Sequence, residues 1–436
     1  MHIAPLAVFR ILFGLIMTVG IIRFALNGWI EEMYLKPGFF FTYAGFEWVQ
    51  PFSPLLMYAW FAFSGIAALF IALGLYYRFS TILFFITFTY IELIDKSNYL
   101  NHYYFISIVA FLMIFLPANR YFSLDTYRNP ALEIEKIPAW MINSLKLQLG
   151  IVYFYAGIAK LNYDWLINAM PLKIWLPANA GWPVIGSLFD EEWVAYLFSW
   201  SGAIYDLMIP FLLLSARFRP VAYFAVIVFH VLTWILFPIG MFPYVMILLT
   251  LIFFSPSFHL KIIGFLKNLL PVNNVKAFST PQAFTAKKLI LFVFCLHFFI
   301  QVLLPLRYLL FPGKLFWTEQ GYRFSWRVML MEKAGTAFFY VTDPVSGGTD
   351  EISICDYLTT NQEKMMCTQP DMILQFAHFL KKEYQKKGIA DPIVKVESYA
   401  TLNGSGSRLY IDPNVNLSAL SDNHFSTRTW VLPFER

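Results

Sequence analysis

The chain is poor in charge and nearly free of cysteine. Asp, Glu, Lys and Arg make up 14% of its 436 residues, against about a quarter in soluble domains. A water-facing surface over most of the length is therefore excluded. Three cysteines, none in CxxC spacing, exclude a zinc ribbon and a thioredoxin-type redox site. There is no P-loop, GxSxG elbow, HExxH helix or dinucleotide glycine pattern, and metal-ligand spacing is missing as well. No internal repeat is visible, which weakens a transporter built from inverted halves. The net charge is only +5, with basic residues gathered in a few loops, so no nucleic-acid partner is expected. No basic n-region precedes the first apolar stretch, and that stretch is long enough to span, so no cleavable leader is expected.

What the chain has is apolar length. Hydrophobic residues reach 58% and mean hydropathy is +0.58. A span needs about 20 apolar residues. Segments near 7–28, 55–77, 79–96, 101–117, 140–160, 193–215, 219–238, 240–255 and 287–311 qualify, the eighth being short enough to be re-entrant. About nine spans put the termini on opposite sides. The positive-inside rule then favours a cytoplasmic N-terminus. Inside loops would hold Arg78; Arg120, Arg128 and Lys136; Arg217 and Arg219; and Lys261, Lys267, Lys276, Lys287 and Lys288. Outside loops would hold Glu31, Glu32, Glu47, Asp164, Asp190, Glu191 and Glu192. The expected fold is a polytopic α-helical membrane protein, residues 1–311, followed by a β-rich extracytoplasmic domain, residues 312–436. Alternating runs at 337–341, 393–396 and 408–411 read as strands. A helix starts near Asp371, shows Ile373, Phe376, Leu380 and Tyr384 on one face, and ends at Gly388. Cys355 and Cys367 lie there, 12 residues apart. A disulfide between them and a strand geometry that holds them apart both remain open.

Ionisable residues within the apolar segments are Arg10, Arg23, Glu92, Asp95, Lys146, Lys160, Asp206 and His230. Arg10, Arg23 and Lys146 stand near span ends, where long cations snorkel to headgroups. Lys160 is different: it closes a strongly apolar helix, and a low-dielectric setting favours the neutral amine, a proton acceptor. The topology brings His102 and His230 to the same outer leaflet as Lys160. A histidine facing the lysine would hold it by hydrogen bonding. The bland alternative is a packed core histidine and a snorkelling lysine. Aromatic residues, 19% of the chain, are dense around these positions; interfacial belts explain many of them, and a flat ring ligand such as a quinone would suit the rest.

Several motifs run in order through the chain: FRILFGL (9–15), LGLYYRF (73–79), IDKSNYLNHY (94–103), FLPANRYFSLDT (115–126), VYFYAGIAKLNYDWL (152–166), IGMFPYVMI (239–247), GYRFSWRVMLM (321–331) and TRTWVLPF (427–434). In these the sequence resembles the vitamin K-dependent gamma-glutamyl carboxylases and their bacterial relatives with the HTTM membrane domain. The resemblance implies that Lys160 is the base toward vitamin K hydroquinone (or menaquinol). His102, with Asn101 before it, would orient that lysine. It implies that His230 is a pocket residue, that Tyr322 lies near the substrate glutamate, and that Asp95 and Trp326 are supports. It further implies O2 and CO2 as co-substrates, no metal, a glutamate-containing protein or peptide partner, and access to the lipid quinone pool. In the implied chemistry, oxygenation of the quinol to the epoxide drives glutamate γ-proton abstraction and CO2 addition. Ala159 stands where the animal enzymes carry a second lysine. Two other readings compete: a quinol epoxidase that carboxylates no protein, and a non-enzymatic quinone-binding membrane carrier.

Overall fold

A computed structural model describes residues 1–269, 287–421, 423 and 426–434. Lys276, counted above among the cytoplasmic charges, lies outside the described residues. All nine apolar segments are helical. They form α1 (Ala4–Leu26), α2 (Pro54–Leu73), α3 (Tyr77–Ile94), α4 (Asn101–Phe115), α5 (Ala139–Lys160), α6 (Glu192–Leu214), α7 (Arg219–Leu236), α8 (Phe242–Thr250) and, after a further helix α9 (Pro256–Leu269) beyond the eighth segment, α10 (Lys287–Leu303). Among the described residues six helices are long and apolar enough to cross a membrane, or seven if the bent pair counts as one span. That corrects the count of about nine, because the fourth, fifth and eighth segments each fall short. Helix α4 has 15 residues, about 22 Å of rise, short of about 30 Å of hydrocarbon. Helix α5 is long enough, but Asn143, Lys146 and Gln148 interrupt its apolar run. The eighth segment ends just before Pro256 opens α9, and the chain bends by 116° between α8 and α9.

The bundle packs closely where side chains are small. At Gly14 an added Cβ would lie 2.3 Å from the Ala72 amide nitrogen, so α1 and α2 touch backbone to backbone. Gly74 ends α2 with φ +64, and a Cβ there would strike the Arg10 guanidinium. Arg10 does not snorkel. It is buried and donates to the Phe122 carbonyl at 2.7 Å.

Beyond the helices lies a four-stranded antiparallel sheet in the order β2-β1-β3-β4, with β1 Lys333–Thr342, β2 Thr349–Glu351, β3 Ile393–Leu402 and β4 Arg408–Leu409. Phe339 pairs with Val396 and Val341 with Val394. This register sends Ala337, Phe339, Val341, Val394 and Val396 to the buried face. Helix α11 (Thr360–Met366) leads into α12 (Pro370–Lys386), whose buried stripe of Ile373, Phe376, Ala377, Leu380 and Tyr384 covers that face.

Docking of this domain on the helices is polar and buried. Asp371 at the start of α12 receives Lys96 at 2.9 Å and Arg323 at 2.7 Å. Asp95, expected as a support for the site, instead accepts from the Gln362 side chain at 2.6 Å and from the Ser97 amide at 2.8 Å. It joins the two layers.

Cys355 and Cys367 are both free. Cys355 is exposed on a short turn, whereas Cys367 is buried, and burial followed by the nearby Glu363 pushes its thiol up to about 12. In native protein at pH 7.5, a water-soluble maleimide is expected to label Cys355 within minutes. Cys367 should react only after denaturation. Mass spectrometry of the labelled peptides checks this, and equal labelling of both would contradict it.

Candidate active site

Lys160 is the last residue of α5, and α6 runs alongside that helix. The approach depends on Gly157, where a Cβ would lie 2.8 Å from the Leu207 amide nitrogen. This contact presents the neighbouring Asp206 to Lys160. The lysine Nζ donates to Asp206 Oδ2 at 2.5 Å and to the Ala156 carbonyl at 3.4 Å. The residues are 7% and 4% exposed, so the pair is withdrawn from water. After the helix, Asn162 caps the next turn by accepting from the Trp165 amide at 3.0 Å. The Trp165 indole donates to the Ser199 carbonyl on α6 at 2.9 Å and sets its ring 5.5 Å from Lys160 Nζ.

Lys160 and Asp206 line a partly open cavity of about 110 Å³ with mainly apolar walls, among them Phe229, Phe237, Phe242 and Met246. Asn101, His230 and Trp326 also line it. His230 Nε2 lies 3.3 Å from the Tyr153 hydroxyl, which lies 3.3 Å from the Thr250 hydroxyl. His230 Nδ1 and the Trp326 indole nitrogen are buried with no hydrogen-bond partner among the described residues. Trp326 is held by stacking on Tyr104, centroids 5.1 Å apart. Tyr104 in turn accepts from Gln301 on α10 at 2.7 Å. A flat ring carrying polar oxygens fits this set: apolar faces on the walls, and two orphaned nitrogens for its edge.

The expected residues divide. Lys160, Asn101, His230 and Trp326 share one cavity. His102 does not reach Lys160: its ring packs against Tyr103 at 4.6 Å and against Phe242 at 5.7 Å, behind the cavity wall. The lysine's side-chain partner is Asp206 and not a histidine. Tyr322 also stands outside the cavity, donating to the Arg327 carbonyl at 3.3 Å; Asn101 donates to the same carbonyl at 2.9 Å. Sequence reasoning counted Asp206 among the intramembrane ionisable residues without pairing it. Tyr153 carried only an aromatic signal, and its hydrogen bond to His230 had none.

An apolar helical bundle, capped by a small sheet domain and holding a buried amine near their junction, defines an integral membrane protein. Residues 1–258 match the family model of the HTTM domain. Residues 286–436 match that of the vitamin K-dependent gamma-carboxylase lumenal domain. The chain belongs to the HTTM-domain family of vitamin K-dependent gamma-carboxylases. Its function is of the vitamin K-dependent carboxylase type, and its C-terminal domain is lumenal. No solved structure matches the chain.

Proposed function

We propose that the protein is a vitamin K hydroquinone-dependent gamma-glutamyl carboxylase in which Lys160 takes the proton of the quinol. Menaquinol, which carries the same ring, is an equivalent donor. The N-terminus is cytoplasmic in this reading, and the cavity opens toward the lumenal half of the bilayer. The observation that carries it is the Lys160–Asp206 pair, buried and 2.5 Å apart in a mainly apolar cavity.

The pair is net neutral in two proton arrangements: ammonium with carboxylate, or amine with carboxylic acid. In the second arrangement Asp206 holds the proton at Oδ2, and the quinol hydroxyl must displace that O–H from the lysine lone pair before Lys160 can take its proton. The Trp326 N–H and His230 Nδ1 would hold the edge of the ring, and Asn101 lies beside them. His102 acts from behind Phe242. Phe229, Phe237 and Phe242 exclude water, which would quench a strong base. When bound, the hydroquinone supplies with O2 a base strong enough to remove a glutamate γ-proton, which no side chain can do, and CO2 adds at that carbon.

One observation favours the second reading, epoxidation without protein carboxylation: Tyr322, expected beside the glutamate, does not line the cavity. A dual assay separates the two. Full-length protein in detergent receives reduced vitamin K, oxygen, labelled bicarbonate and a short glutamate peptide. Epoxide and labelled peptide together are expected. Epoxide without label would favour the second reading, and neither product from folded protein would sink both.

A further inference from the structure

Residues 161–191 connect α5 to α6, and Trp165, Leu172 and Trp175 of that connection line the Lys160 cavity. The two ends of this stretch are held differently. The Trp165 end is tied to the bundle: its indole donates to the Ser199 carbonyl, and the Ser199 hydroxyl donates to the Trp165 carbonyl at 2.5 Å. The Trp175 end is tied to the lumenal domain. The Trp175 indole N–H donates to Glu332 Oε2 at 2.5 Å, and its ring meets Phe237, another cavity wall, edge to face at 5.7 Å. A further tie at this end, Lys173 to Glu192 on α6, is an exposed pair, and such pairs contribute little. Trp175 therefore stands between the Lys160 cavity and the sheet domain.

The sheet fixes the backbone of Glu332. It lies one rung beyond the Lys333–Leu402 pair, opposite Asn403. The Asn403 amide donates to the Glu332 carbonyl at 2.8 Å, and the Glu332 amide donates to Asn403 Oδ1 at 2.9 Å. Asn403 Nδ2 also donates to Asp164 Oδ2 at 3.2 Å, beside Trp165. Left-handed backbone at Asn403 (φ 51) and Gly404 (φ 73) turns the chain here, as Asn and Gly readily allow. The turn brings Gly404 against Ile174, whose side chain would lie 3.4 Å from an added Cβ. One residue pair of the sheet thus grips both ends of the stretch. Among the described residues no cation pairs with Glu332. A carboxylate also makes a stronger bond to an N–H than a neutral acceptor does.

We propose that Glu332, aligned by Asn403, is a positioning residue that holds Trp175 as the wall between the Lys160 cavity and lumenal water. With the bond in place, the indole closes the cavity beside Phe237. Without it, the Trp175 end is free to move and water reaches the Lys160–Asp206 pair. The effect on products rests on the carboxylase reading; the closure itself does not. In that reading, entering water gives up the proton that the glutamate γ-carbon should give. Epoxide then forms without a matching carboxylation.

The first readout needs no quinol: hydrogen–deuterium exchange of the full-length protein in detergent, read by mass spectrometry over residues 164–176. Glu332→Ala should speed exchange there about 10–100-fold, the factor of one hydrogen bond to a charged group, and leave β1 and β3 unchanged. Glu332→Gln keeps a carbonyl acceptor and should restore most of the protection. Trp175→Phe keeps an aromatic ring and removes the N–H. It should match Glu332→Ala, and the double variant should add nothing further. The second readout is the ratio of epoxide to carboxylated peptide. It should rise about tenfold in Glu332→Ala and fall back in Glu332→Gln, whereas a merely structural role would lower both products together. Exchange indifferent to Glu332 overturns the proposal, and so does faster exchange with an unchanged ratio. Where the wild type labels no peptide, the exchange decides alone: Glu332-dependent protection would retire the carboxylase reading and leave the closure. Both products with Glu332-independent exchange would do the reverse.

Discussion

Lys160→Ala is expected to lower both epoxide formation and peptide labelling by about 10²–10⁴-fold, the usual contribution of a positioned general base. The two products fall together because proton removal from the quinol precedes both. Lys160 is the lysine that lines the cavity, and the other ionisable residues there are Asp206, His230 and Tyr153. His230 is engaged through Nε2 with Tyr153, and its Nδ1 is buried with no hydrogen-bond partner among the described residues. The single variant has a second consequence. Removing one partner of a buried pair costs about 3–5 kcal/mol, so low activity alone would not separate chemistry from folding. Replacing both partners by apolar residues of similar size is often neutral or stabilising. The double variant Lys160→Met, Asp206→Leu should therefore melt at or above the wild-type temperature and still be inactive. Epoxidation surviving in that folded double variant would remove Lys160 as the base.

Asp371→Asn is expected to loosen the lumenal domain from the helices and to cost about 3–5 kcal/mol. The carboxylate is buried and receives both Lys96 and Arg323, so the amide leaves two buried cations facing each other. Thermal unfolding, with limited proteolysis of residues 312–421 as a local probe, reads the effect. Its pH dependence has a definite sign. Burial opposes the charge on Asp371, but Arg323, Lys96 and Arg428 together outweigh it and hold the carboxyl well below its ordinary value. A depressed carboxyl stabilises fully above its unfolded value, about 3.9, and loses that contribution as pH falls through the folded value. The gap between wild type and variant should stay constant from pH 7 to about 4 and close only below that. A gap that closes between pH 7 and 5 would mean that Asp371 is not the charged centre of the junction.

The helices and strands were legible because their signals are local. Nine apolar segments all became helices, and the stripe Ile373, Phe376, Leu380 and Tyr384 marked α12 and its buried face. Lys160 was legible for the same reason, as one charge closing an apolar run. Its partner was not. Topology gives a residue's height in the bilayer and nothing about which way its helix faces. His102 and His230 were matched to Lys160 by height alone, and only His230 lines its cavity. Asp206 reaches the lysine because Gly157 lets α5 and α6 close on each other. Arg327 was hidden more deeply. Residues 321–331 were legible only as a motif, and the left-handed turns at Trp326 and Met329 place Trp326, Val328 and Met329 on the Lys160 cavity and Arg327 on a separate one.

By itself, then, the sequence determined a membrane-embedded helical bundle, a small sheet domain covered by one amphipathic helix, and a lysine closing an apolar helix. These come from hydropathy, period and composition, which act along the chain. The tertiary structure alone decided that Lys160 pairs with Asp206, that His102 stands behind Phe242, and that Trp326 and Arg327 line separate cavities. Each depends on helix azimuth, close backbone approach or an unusual φ, which arise only when distant segments pack.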